Sequence, residues 1–146
     1  MPEIWIHQRS ELQQWARQNV GLLKRPCVVL LQGNLGAGKT QLVRWFVEAL
    51  GAADASSPTF AIHQEYQGND GPIDHVDLYR VLSDADLEAS GFWDLLSNEQ
   101  GLLFVEWAER LPDEIWPAHW TQVYIQLEKV EGEEEGRRVS WRISRP

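Results

Sequence analysis

The chain has 146 residues, 43% hydrophobic and 24% charged, with a formal net charge of −9. That fits one soluble domain over residues 1–146, long enough for a three-layer core. The acidity argues against a protein that holds nucleic acid by itself. No apolar run approaches the ~20 residues of a membrane helix, and the single cysteine, Cys27, excludes an internal disulfide or thiolate cage and fits a reducing cytoplasm.

MPEIWIHQRS lacks the basic-then-apolar order of a signal peptide. SELQQWARQNVG is a predicted helix, capped by Ser10, with Leu12, Trp15 and Ala16 on one face and Gly21 as its stop. CVVLLQG is a continuous apolar run, as in strands buried on both faces. Leu42, Phe46 and Leu50 recur at helical spacing from Lys39 onward, with Gly51 as a C-terminal break. SSPTFAIHQEY reads as a loop around Pro58 entering a strand, GNDGP as a turn and IDHVDLY as a further strand. SDADLEASGFWDLLSN is a glycine-interrupted helix and GLLFVEW a second buried strand. QVYIQLE and RRVSWRIS alternate as a terminal antiparallel hairpin, with five glutamates between Glu128 and Glu135 at a solvated tip. Most of the eight tryptophans are expected in the core. The predicted fold is α/β, a P-loop NTPase-like layer fold with a mixed, mainly parallel sheet and a C-terminal antiparallel hairpin.

Between the first buried strand and its helix stands GNLGAGKT, in which Gly33, Gly38, Lys39 and Thr40 meet the G-x-x-x-x-G-K-[ST] pattern and Gly36 adds a third glycine. Phosphate oxygens need donors converging from a concave surface. Successive backbone N–H groups supply them where no Cβ intrudes, and a helix N-terminus adds its free N–H groups and positive dipole end. The expected nucleotide-binding residues are therefore Asn34, Leu35, Gly36, Ala37, Gly38, Lys39, Thr40 and Gln41. Lys39 is expected to face solvent and reach the β- and γ-phosphates, and Thr40 to give its hydroxyl to Mg²⁺.

Hydrolysis or transfer also needs a carboxylate at the end of a neighbouring strand. Asp77 closes IDHVD and Glu106 closes LLFVE; Asp74 and Glu109 read as ordinary solvated acids. Ser57 and Thr59 follow the P-loop helix, where nucleotide switches sit. His75 reads as a structural histidine. His7, His63 and His119 have no ligand spacing with a cysteine or second histidine, which speaks against a zinc site.

GNLGAGKT, SPTF (residues 57–60), HVDLYR (75–80) and VEWAERLP (105–112) occur in the order and spacing of the TsaE family, to which the chain is similar as far as the strand at Glu106. Asn34 stands where family members usually carry aspartate, Gln41 where a second threonine is common, and Ala108 departs from the frequent EWPE. The resemblance implies a small cytoplasmic ATPase using ATP and Mg²⁺. It would assist the TsaB–TsaD complex in attaching threonylcarbamoyl to the adenosine beside the anticodon, meeting tRNA only through its partners. It implies roles for Lys39, Asp77 and Glu106 in catalysis, with either acid able to activate water, for Thr40 and Glu106 at the metal, Thr59 in the switch loop and Trp107 beside the nucleotide.

The resulting expectation is a Mg-dependent ATPase, slow alone and partner-stimulated, monomeric when free. A P-loop small-molecule kinase with Asp77 as base, and a nucleotide-sensing module without significant catalysis, are the alternatives.

Overall fold

In the computed structural model, residues 1–52 and 62–146 are described. The buried runs become β2 (Cys27–Gln32) and β5 (Leu102–Glu106), parallel neighbours at the sheet centre. Their alternate residues face opposite ways. Val29, Leu31 and Phe104 pack with Leu12, Trp15, Leu42 and Phe46 of α1 (Arg9–Asn19) and α2 (Lys39–Ala49). On the other face, Val28, Leu30, Leu103 and Val105 meet Leu87, Phe92, Trp116 and Trp120, from α3 (Asp84–Ala89), α4 (Phe92–Leu95) and the chain beyond β5. Both faces are covered, which is why these strands carry no polar alternation.

The other strands are β1 (Glu3–Ile6), β3 (His63–Gly68), β4 (Gly71–Asp77), β6 (Thr121–Lys129) and β7 (Arg137–Ser144). The seven-stranded order is β1-β7-β6-β2-β5-β4-β3. β6, β2, β5 and β4 run parallel in the centre, flanked by antiparallel partners. After β2 the chain crosses to the β3–β4 edge on one side, returns to β5 beside β2, and then passes to β6 on the other side. Such a reversal opens a crevice beyond the carboxyl ends of the central strands. The register sets Asp77 beside Glu106 and Glu106 beside Leu31, so the two candidate acids end adjacent strands.

Three sequence expectations need correction. Strand β1 was not foreseen: four residues are too few for a pattern, and they are held by pairing with β7, from Glu3 opposite Ser140 to Ile6 opposite Arg137. Ser10 does not cap α1. The cap is Gln8, and Glu11 accepts the N–H groups of His7 (3.1 Å) and Gln8 (3.0 Å). The acidic hairpin tip is exposed, as expected, but it also docks. Glu133 lies 2.9 Å from His7 Nδ1, and Glu135 accepts the Arg9 N–H at 2.9 Å. Among the described residues, no helix is long and apolar enough to cross a membrane.

Candidate nucleotide-binding site

The loop of residues 33–38 joins β2 to α2 and runs close against β6. A Cβ on Gly33 would lie 2.6 Å from the carbonyl oxygen of Leu127, so only glycine fits there. Gly38, the N-cap of α2, has φ +108°, open to glycine at little cost. It caps without a side chain, so the first N–H groups of α2 remain as donors. Over the loop lies a cleft of about 570 Å³, lined by residues 35–41 with Asp77, Tyr79, Arg80, Glu106 and Trp107.

Lys39 departs from its expected solvent-facing pose. It is buried, and its ammonium donates to the carbonyls of Gly33 and, at 3.2 Å, Asn34. Burial lowers its pKa from the ordinary lysine value, opposed by the charges of Glu106, Glu109 and Asp77. The loop thus holds its own cation in the concavity, with two carbonyl acceptors where stronger anionic ones would fit.

Thr40 Oγ1 donates to Glu106, at 2.8 Å from Oε1 and 2.9 Å from Oε2. Burial pushes the Glu106 carboxyl up. The hydrogen bond and charge of His75, the Thr40 hydroxyl and Lys39 outweigh that and leave it below its usual range. Asp77 moves the other way, raised by burial and then by the charge of Glu106, against the Tyr79 N–H, His75 and Arg80. Two carboxylates at neighbouring strand ends are therefore driven apart in acidity.

His75 is the residue whose part in this cluster the sequence reading missed. It is buried, with Nε2 2.6 Å from Glu106 Oε2 and, among the described residues, no partner for Nδ1. A period-two reading puts His75 on the same strand face as Asp77. Its diagonal meeting with Glu106 follows only from the β4–β5 register. Asp74, read as a solvated acid, is also corrected: it is buried and bonded to His63 Nε2 at 2.8 Å. Glu109 is exposed, as expected.

Of the other expected residues, Leu35, Gly36, Ala37, Gly38 and Gln41 line the main cleft. Asn34 lies on an adjoining cleft with Trp107 and Lys129. Thr59 and Ser57 fall outside the described residues. Thr40 and Glu106 supply hard oxygen donors of the kind Mg²⁺ takes alongside phosphate and water. No group of three His, Cys, Asp or Glu side chains gathers as a metal cage among the described residues.

The family model for Threonylcarbamoyl adenosine biosynthesis protein TsaE matches residues 6–139. The chain belongs to the TsaE family. The match runs past Glu106 into the terminal hairpin, further than the sequence motifs carried it. A tRNA threonylcarbamoyladenosine biosynthesis protein TsaE from Synechocystis is 38% identical over 75% of this chain and 72% of that protein. The TsaE of Aquifex aeolicus is 36% identical over 75% and 79%. The crystal structure of Bacillus subtilis YdiB superimposes with a TM-score of 0.66 at 28% identity, over 99% of this chain and 86% of that one.

Within this TsaE-family cleft Trp107 occupies a strained position. Its φ is 59°, uncommon for a bulky residue, and the turn it makes carries the ring under Lys39 Nζ, 4.2 Å from the ring centroid. The Tyr79 ring also lies against it, at 5.0 Å between centroids. A phosphate that draws the ammonium away changes the field on the indole, so nucleotide should change tryptophan emission in the wild type. The change should shrink in Trp107→Phe. A response that persists in full there would detach this ring from the site.

Proposed function

We propose that this TsaE-family protein is a single P-loop ATPase domain, residues 1–146, that binds ATP with Mg²⁺ over its glycine loop and hydrolyses it slowly. It acts in threonylcarbamoyladenosine formation on tRNA as an accessory to a TsaB–TsaD complex, in the cytoplasm, touching tRNA only through those partners. Free, it is a monomer.

The observation that carries this reading is the Thr40 hydroxyl seated on the Glu106 carboxylate at the mouth of the loop, with Asp77 ending the next strand. The reading is supported by an oxygen donor pair, a glycine loop and a second acid of opposite pKa tendency around one cleft. Mg²⁺ bound by Thr40 and Glu106 would neutralise charge on the phosphates. Lys39 would bind and orient them, Asp77 would hold and orient a water, and the loop would present its N–H groups. Slow turnover alone follows from general P-loop chemistry, in which an arginine supplied by a partner accelerates hydrolysis.

The test is an ATPase assay with and without purified TsaB–TsaD and tRNA. The reading expects low turnover that rises with the partner complex. ADP formation that depends instead on a small-molecule acceptor and ignores the proteins would replace it with a kinase.

A further inference from the structure

We infer that Arg137, the first residue of β7, is a positioning residue that fixes the glycine loop from behind and ties its shape to the C-terminal hairpin. The inference rests on the nucleotide reading above for its consequence, though not for its geometry.

Arg137 reaches across 100 positions of sequence. Its Nε donates to the carbonyl of Ala37 at 2.7 Å and an Nη donates to the carbonyl of Gly36 at 3.2 Å. The remaining Nη donates to the carbonyls of Gly136 (2.7 Å) and Glu134 (3.0 Å) within the hairpin tip itself. Although it stands in the most acidic stretch of the chain, these contacts are all to main-chain oxygens. A planar fork of fixed donors can hold several carbonyls at once; a lysine ammonium on a flexible stem cannot hold them in one geometry.

The two loop carbonyls matter because a peptide unit is planar and trans: where its C=O points, the N–H of the next residue points the opposite way. Holding the Gly36 carbonyl sets the Ala37 N–H, which bonds the Asn34 carbonyl at 3.0 Å and closes the loop's turn. Holding the Ala37 carbonyl sets the Gly38 N–H away from Arg137. Arg137 itself lines a separate cavity of about 130 Å³ behind the loop, with Arg9, Gln41 and Glu135. The grip therefore commits the Ala37 N–H to the turn and turns the Gly38 N–H away from Arg137. Gly36 and Gly38, at φ +79° and +108°, flank this grip and would otherwise give the segment wide freedom. Donors fixed before the ligand arrives cost less to order on binding. The hairpin tip that carries Arg137 also bonds His7, ahead of α1, through Glu133 and the first residue of α1 through Glu135, so the brace is itself anchored.

The test compares wild type, Arg137→Met and Arg137→Lys by amide hydrogen exchange without nucleotide and by calorimetry with ADP and Mg²⁺. Positioning predicts that the Ala37 amide exchanges about tenfold faster in Arg137→Met while amides of β2 and β5 are unchanged. ADP affinity should fall about tenfold, the worth of one charge-assisted hydrogen bond. Arg137→Lys should fall between, since an ammonium can keep one carbonyl; if the methionine variant does not fold, the lysine variant carries the comparison. Wild-type exchange at Ala37 and wild-type affinity in the folded variants would overturn the inference, as would a rise in exchange spread evenly over the sheet. A wild-type protein that does not bind ADP would overturn the nucleotide reading instead, with the exchange arm still deciding whether Arg137 holds the loop.

Discussion

Lys39→Ala is expected to weaken ATP-analogue binding by on the order of 100-fold while the protein stays folded. Two charge-assisted hydrogen bonds to phosphate are worth about 3 kcal/mol or more together, which sets that scale. The ammonium bonds the carbonyls of Gly33 and Asn34 and lies over the Trp107 ring, which holds it within the loop's concavity. The alanine variant loses those local bonds but empties no part of the apolar core. Calorimetry with a non-hydrolysable analogue and Mg²⁺ measures the loss, and a thermal melt confirms the fold. Because burial lowers the Lys39 pKa, wild-type affinity should decline as pH rises through a point below the ordinary lysine range, and the alanine variant should lack that decline. Unchanged affinity in the variant would remove phosphate from this loop.

The parts of the site that were legible in the sequence are those whose information is local. GNLGAGKT states its chemistry within eight residues, and the apolar runs before Gly33 and Glu106 name two central strands by composition alone. What was hidden depends on register between distant strands. His75 meets Glu106 only because β4 pairs with β5 in one offset, and Arg137 meets Ala37 only because β7 returns beside β1 and β6. Neither residue type is unusual at its position. The buried pose of Lys39 was illegible for another reason: a motif names the lysine but not the loop carbonyls of Gly33 and Asn34 that its ammonium bonds. β1 lay below the length at which alternation can be read, and its place comes from the edge of β7 that it covers.

Asp77→Asn and Glu106→Gln are expected to fail in different ways. Glu106 is held ionised by His75, Thr40 and Lys39, and its carboxylate already bonds the hydroxyl that a P-loop gives to Mg²⁺. Removing its charge while keeping its shape should raise the Mg²⁺ concentration needed for half-maximal turnover. Asp77 is placed beside Glu106 but makes its own contacts to the Tyr79 N–H, at 3.0 Å, and to Arg80, at 3.8 Å, rather than to Thr40. Its proposed contact is with the attacking water, so Asp77→Asn should cut kcat by about 100-fold or more and leave ADP affinity nearly unchanged. The pKa directions add a second signature. Burial and then the charge of Glu106 raise the Asp77 carboxyl, so wild-type kcat should fall as pH drops through a point above the usual aspartate range. Glu106→Gln removes one cause of that rise and should move this acid limb to lower pH, and Asp77→Asn should abolish it. A kcat profile across pH and Mg²⁺ for the three proteins separates the roles. If both variants showed the same Mg²⁺ dependence and the same acid limb, the division of labour drawn from their opposite pKa shifts would be wrong, and the two carboxylates would have to act as one unit.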